Sequence, residues 1–88
     1  MKSVFHFSRT ADKEFAKLNQ SVRRRIFEKL IFWGKQSDPF IFAKKLTGST
    51  KRFRFRVGDY RIVVSRRRSG EIVILLILRI AHRREIYD

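Results

Sequence analysis

Hydrophobic and polar residues alternate in VFHF at 4–7, which predicts a short first strand. The period then changes. Ala11, Phe15 and Leu18 stand at helical spacing, so 9–18 reads as a short helix with Ser8 or Thr10 as its cap. Asn19-Gln20 interrupts it. Ser21 is placed to cap a second helix, in which Val22, Ile26, Leu30 and Trp33 form one face with Phe27 and Ile31 beside them. Arg23, Arg24, Arg25 and Lys29 then fall on the solvated side. Gly34 and Ser37-Asp38-Pro39 close this helix. Phe40 and Phe42 anchor a loop or a short helical turn, and Thr47-Gly48-Ser49-Thr50 reads as a turn.

Strict alternation returns at Arg52–Val57. Gly58-Asp59 makes a two-residue hairpin loop, because glycine supplies the positive φ that such loops require. Tyr60–Arg67 is the return strand and Ser69-Gly70 the next turn. Glu71–Ile80 is an apolar run without alternation, as expected of a strand covered on both faces. The predicted order is β-α-α-β-β-β. This is an α+β chain, with a helical hairpin packed on an antiparallel meander.

The hairpin register follows from its loop. Val57 pairs with Tyr60, Arg56 with Arg61, Phe55 with Ile62 and Arg54 with Val63. Phe53, Phe55, Val57, Tyr60, Ile62 and Val64 then share the core face. Arg52, Arg54, Arg56 and Arg61 share the other. Like charges opposite one another destabilise a sheet. An anion lying across the strands removes that penalty, and the planar guanidinium fork matches phosphate oxygens. A merely solvated basic face accounts for the row less well, since lysine would serve it equally.

Composition strengthens this picture. The chain has 88 residues, enough for a single domain spanning 1–88, and 43% of them are hydrophobic. Its 22 Lys and Arg stand against 8 Asp and Glu, a formal charge of +14. Such a field favours polyanionic partners: nucleic acid, an rRNA-rich particle or an acidic protein. There is no cysteine, so disulfides and thiolate metal sites are excluded. No metal-ligand spacing, phosphate loop or cofactor motif is present, and no cofactor is expected. The N-terminus lacks signal-peptide features, and Ile72–Leu78 is far shorter than the ~20 residues of a spanning helix. The expectation is a soluble, cytoplasmic protein that does not engage membranes.

His82-Arg83-Arg84-Glu85-Ile86-Tyr87 follows the last strand. It supplies an imidazole, two guanidiniums and a phenol. Folded beside the arginine row, such a set suits phosphodiester cleavage. Guanidiniums stabilise charge developing on phosphorus, and His or Tyr moves protons. The alternative is a frayed basic tail.

Three segments together resemble the RelE family of type II toxin–antitoxin toxins: Lys45-Leu-Thr-Gly, the hairpin Arg54–Arg61 and the tail 82–87. The likeness extends over nearly the whole chain. It implies a compact microbial-ribonuclease-like fold and a ribosome-dependent endoribonuclease that cuts mRNA in the A site by 2′-hydroxyl attack. It also implies an acidic RelB-like antitoxin, a monomeric free toxin and a hetero-oligomer with the antitoxin.

By the same resemblance, the family's basic strand pair falls on Arg52 and Arg54, and the arginine after the turn tyrosine on Arg61. The tail arginine falls on Arg83, with Arg84 as the alternative, and the tail tyrosine on Tyr87. Lys45, Lys51, Arg56 and Arg84 are expected to contact RNA. The chain departs from the pattern in two places. Arginines replace the usual lysines at 52 and 54, and Ala81 stands where Gly is common. Arginine does not give up its proton, so the base must be Tyr87 or His82, or Lys51 must take part. A phenol, near pH 10 unperturbed, needs arginines to lower its pKa. An imidazole titrates near neutrality without help. Rival readings are a ParE-like gyrase poison, a non-catalytic nucleic-acid-binding module and an inactive toxin that still binds an antitoxin.

Overall fold

A computed structural model describes residues 2–46, 48 and 51–84. Its elements are β1 (Lys2–Phe7), α1 (Arg9–Ala16), α2 (Gln20–Gly34), a 3-10 turn (Pro39–Phe42), β2 (Lys44–Lys45), β3 (Arg52–Val57), β4 (Tyr60–Ser69) and β5 (Ile72–His82). The two helices pack on one face of a five-stranded sheet ordered β1-β5-β4-β3-β2. The α+β class stands. β3, β4 and β5 form the antiparallel meander, while β1 runs parallel to β5 and makes the sheet mixed.

The helix starts have local causes. The Ser8 side chain accepts from the Ala11 N–H at 3.1 Å and caps α1. Asn19, not Ser21, caps α2, accepting from the Val22 N–H at 3.0 Å. Ser21 instead donates to Asn19 Oδ1 at 2.8 Å and steadies that cap. Arg23 turns back from α2 and donates to the Leu18 carbonyl, so it is half-buried at the helix junction. Pro39 opens the 3-10 turn, where its missing N–H costs nothing. Of the turn expected at Thr47–Thr50, only Gly48 lies among the described residues, with φ 76°.

The core is aromatic at its centre. Phe55 is fully buried, its ring 4.5 Å from that of Trp33 and 5.8 Å from that of Phe5. Ile26, Leu30, Ile62, Val64, Leu75, Ile77 and Ile80 complete it. Phe27 and Ile31 do not join this core. They are 53% and 45% exposed, because α2 presents only its Ile26-Leu30-Trp33 stripe to the sheet.

β5 is also less enclosed than its composition suggests. Its odd positions Leu75 and Ile77 enter the core. On its other face Ile74 and Leu76 are half-buried and Ile72 is 39% exposed. Helices cover one side of the sheet only. A smaller cluster of Val63 and Ala81, with Leu46 and Leu78, lies apart from the main core.

One irregularity governs the end of β5. Val64 pairs with Ile77 and Val63 with Arg79, so Leu78 is an extra residue. A bulge of one residue reverses the facing of everything beyond it. Ile80 and His82 therefore point as Ile77 does, toward the helices, and Ala81 falls opposite Arg61.

Candidate functional site

The hairpin has the register read from its loop: Val57 opposite Tyr60, Arg56 opposite Arg61, Phe55 opposite Ile62 and Arg54 opposite Val63. Gly58 takes φ 57° at the turn. The helix-free face of the sheet consequently carries three rows. One runs Arg56, Arg61, Ala81 and another Lys44, Arg54, Val63, Arg79. The third runs Arg52, Ser65, Leu76, His6. Opposite Cβ atoms in such rows stand about 5 Å apart.

Arg54 and Arg61 are half-buried within this array, and Arg52, Arg56 and Lys44 are exposed. Arg54 Nη1 and Arg61 Nε are sealed from solvent. Burial, then the positive charges of Arg61 and Arg56, lowers the Arg54 pKa from its ordinary value. Arginine stays protonated regardless, so the shift records crowding and not basicity. Val63 and Ala81 supply an apolar floor among the guanidiniums, where charge–charge interactions are stronger than in water.

The start of the tail is fixed to the hairpin tip. The Arg83 N–H donates to the Asp59 carbonyl at 2.7 Å, and Arg83 Nε lies 3.8 Å from Asp59 Oδ1. Arg84 follows, exposed, its N–H donating to His82 Nδ1 at 3.3 Å. Behind the tail, Glu14 of α1 accepts from the Ile80 N–H and from Arg79 Nε, both at 2.8 Å. This carboxylate covers the edge of β5 where β1 has ended, and it draws Arg79 away from the other cations.

The expected residues thus separate. Arg52, Arg54, Arg56 and Arg61 come together on one face, and Arg83 is held at its end. His82 does not join them. It lies opposite Tyr60 on the helix side, its ring 5.4 Å from the Tyr60 ring, and its Nδ1 already accepts a hydrogen bond. Lys45 lies opposite Phe53 and so faces away from the arginines, whereas Lys44, opposite Arg54, faces with them. Lys51 sits beyond the row, its carbonyl accepting from the Arg66 N–H at 2.8 Å. Tyr87 lies outside the described residues.

Lys44 is the member that sequence reasoning missed. Its signal was parity with Arg54 across a strand too short to show alternation. His6 shares the face but stands three strands from Arg52, roughly 14 Å at ordinary strand spacing. Among the described residues no cluster of three or more His, Cys, Asp or Glu is placed to hold a metal, and no helix is long and apolar enough to cross a membrane.

No protein-family model matches the chain, and no curated protein matches it by sequence. Solved structures do. The toxin–antitoxin complex RelBE2 of Mycobacterium tuberculosis includes a chain 25% identical, with TM-score 0.76 over 94% of this chain and 100% of that one. A variant of the E. coli toxin RelE in its free state is 25% identical, with TM-score 0.75 over 97% of this chain and 87% of that one. The RelB–RelE complex of Methanococcus jannaschii gives 27% identity and TM-score 0.67, over 93% of this chain and 94% of that one. The helical pair, the mixed five-stranded sheet and these likenesses agree: the chain has the fold of a RelE family toxin.

Proposed function

We propose that this chain is the toxin of a toxin–antitoxin pair and cuts messenger RNA in the ribosomal A site. The observation that carries the reading is the register-matched face of Arg52, Arg54, Arg56, Arg61 and Lys44, in which Arg54 is under pressure first from burial and then from the charges of Arg61 and Arg56. A phosphodiester relieves that pressure, and a phosphorane-like transition state relieves it further, because its oxygens carry more negative charge.

The RNA 2′-oxygen forms a bond to the adjacent phosphorus while the bond from phosphorus to the 5′-oxygen breaks. The products are a 2′,3′-cyclic phosphate and a 5′-hydroxyl. Arg54 and Arg61, the two half-buried guanidiniums, hold the non-bridging oxygens. Arg52, Arg56 and Lys44 hold the flanking backbone, and Arg83 approaches from the tail. His82 is on the other side of the sheet, so proton removal from the 2′-hydroxyl falls to Tyr87. The departing 5′-oxygen takes a proton from water. A RelB-like antitoxin, acidic where this face is basic, is the partner that silences it. The solved relatives seen as RelB–RelE complexes support that pairing.

The test is a purified translation reaction with a defined mRNA, mapped by primer extension. A new end inside the A-site codon, absent without ribosomes, is the expected result. His82→Ala should cut as the parent does, and Tyr87→Phe should lose most of the rate. No cleavage by the parent chain overturns the ribonuclease assignment. Full activity in Tyr87→Phe overturns the assignment of the base.

A further inference from the structure

β2 pairs with β3 at Phe53 and Arg54 and goes no further toward the hairpin tip. Arg56 and Val57 therefore end β3 beyond the reach of its outer neighbour. Arg56 stands at a corner. Across the sheet it lies opposite Arg61, and over the edge of β3 it lines an open groove of about 560 Å³ against α2. Arg25, Glu28, Lys29 and Phe32 form the helical wall of this groove, and Gly58 closes it at the hairpin tip. The volume is in the ordinary range of small-ligand sites.

We propose that this groove is a track for single-stranded RNA, taking the sugar–phosphate backbone next to the phosphate that is cut. The proposal rests on the ribonuclease reading, which says where the strand comes from. Arg25 and Lys29 stand one turn apart on α2, a spacing at which like charges repel, as they do in the arginine row. Arg25, Lys29 and Arg56 share the groove with one carboxylate, Glu28, and among the described residues none of the three forms an ion pair with it. Two of these cations are already placed. Lys29 Nζ lies 5.7 Å from the centre of the Phe32 ring. A Cβ at Gly58 would come 2.8 Å from Arg25 Nη2, so the bare glycine leaves room for that guanidinium beside the hairpin tip. Ordered cations lose less entropy on meeting a phosphate. Phe32 is 46% exposed, and its ring stands 5.5 Å from that of Phe42, also exposed. Aromatic surface beside phosphate-binding cations favours an unpaired strand, whose bases can stack, over a duplex. The basic surface passes from Arg61 through Arg56 to Arg25 and Lys29. A strand held at Arg54 and Arg61 reaches the groove by turning over the edge of β3.

The experiment measures fluorescence anisotropy with 2′-O-methyl RNA, which lacks the attacking hydroxyl, at two lengths across a salt series. A trinucleotide spans the arginine face alone, and a nonanucleotide reaches the groove as well. The parent should bind the longer strand more tightly. Arg25→Gln/Lys29→Gln should weaken the nonanucleotide about tenfold and flatten its salt slope by about 1.4, the value for two phosphates on a single strand, and leave the trinucleotide unchanged. Both positions are exposed and glutamine keeps helix propensity, so the fold should hold. Glu28→Gln should act the other way and tighten the nonanucleotide. Lys13→Gln/Lys17→Gln removes the same charge outside the groove and is the control. Equal affinity of the parent and Arg25→Gln/Lys29→Gln for the longer strand overturns the track. So does an equal loss at both lengths or in the control, which would report net charge alone. Loss of polyglutamate binding with RNA unaffected overturns it too, and makes the groove a site for acidic protein. Cleavage by the parent is scored separately in the translation reaction. A parent that cuts but shows none of these differences overturns the track alone. One that shows them but never cuts overturns only the ribonuclease reading.

Discussion

The two faces of β3 are built from neighbouring residues and obey opposite rules. Phe53, Phe55 and Val57 point to the helices; Phe55 and Val57 join the apolar core, and the Phe53 ring packs on that of Phe40. Arg52, Arg54 and Arg56 point away, and their neighbours across the sheet include Lys44 and Arg61. One face is satisfied when the chain folds. The other gathers like charges that folding brings together across the strands. A face that concentrates positive charge favours an anionic partner, whereas the apolar face serves the fold, so the two demands separate on a single strand.

The strongest way to break the comparison is Phe55→Ala. Phe55 is fully buried among Trp33, Phe5 and Phe40, so the cavity should cost about 3–5 kcal/mol in a denaturant titration. Loss on that scale consumes much of a small domain's stability. Arg61→Ala should do the reverse. The folded fraction should hold, while ribosome-dependent cleavage should fall about 10²–10³-fold, as when one transition-state donor is removed. A collapse of the fold would show that the arginine face is structural.

Gly58→Ala tests the link between the faces. Its φ of 57° strains any side chain, and a Cβ there meets Arg25 Nη2 at 2.8 Å. The arginine tip can move away, so the backbone term remains, about 1–2 kcal/mol by equilibrium unfolding. The smallest effect is the most telling. Arg56→Gln removes a charge opposite Arg61 and should raise the melting temperature by about 1–3 °C, since a few tenths of a kcal/mol is expected from one such pair. The same change should weaken RNA binding. A lower melting temperature would mean that the guanidiniums support one another through contacts other than charge.

Local features were legible in the sequence. The loop Gly58-Asp59 and strict alternation set the hairpin register residue by residue. A cap at Ser8 or Thr10, of which Ser8 is the one used, and the Ile26-Leu30-Trp33 stripe followed from spacing. Long-range features were not. Nothing near Val4 states that it pairs with Ile74, because that contact depends on a strand seventy residues away. His82 was expected at the arginine array because the tail it opens was expected to fold beside that row; with no irregularity in β5, residue 82 would have shared the face of Leu76. The bulge at Leu78 reverses the count, and an apolar run such as Ile-Val-Ile-Leu-Leu-Ile-Leu carries no polar marker to reveal it. Lys45, expected to contact RNA, lies opposite Phe53 and faces away from the arginines, and a two-residue strand is too short to show in sequence which side chain is inward.

The parallel pairing of β1 with β5 also sets an order in time. Lys2–Phe7 is synthesised well before its partner Ile72–Ile77. The Ser8 N–H waits for the Ile77 carbonyl and Glu14 for Arg79 and Ile80. Contacts between distant segments form slowly, because the closure entropy comes before the reward. The N-terminal third therefore has no sheet to join while the arginine hairpin is being made. A ribosome building this chain must finish β5 before the sheet closes, so β1 and α1 gain their partners only after both strands of the arginine hairpin exist.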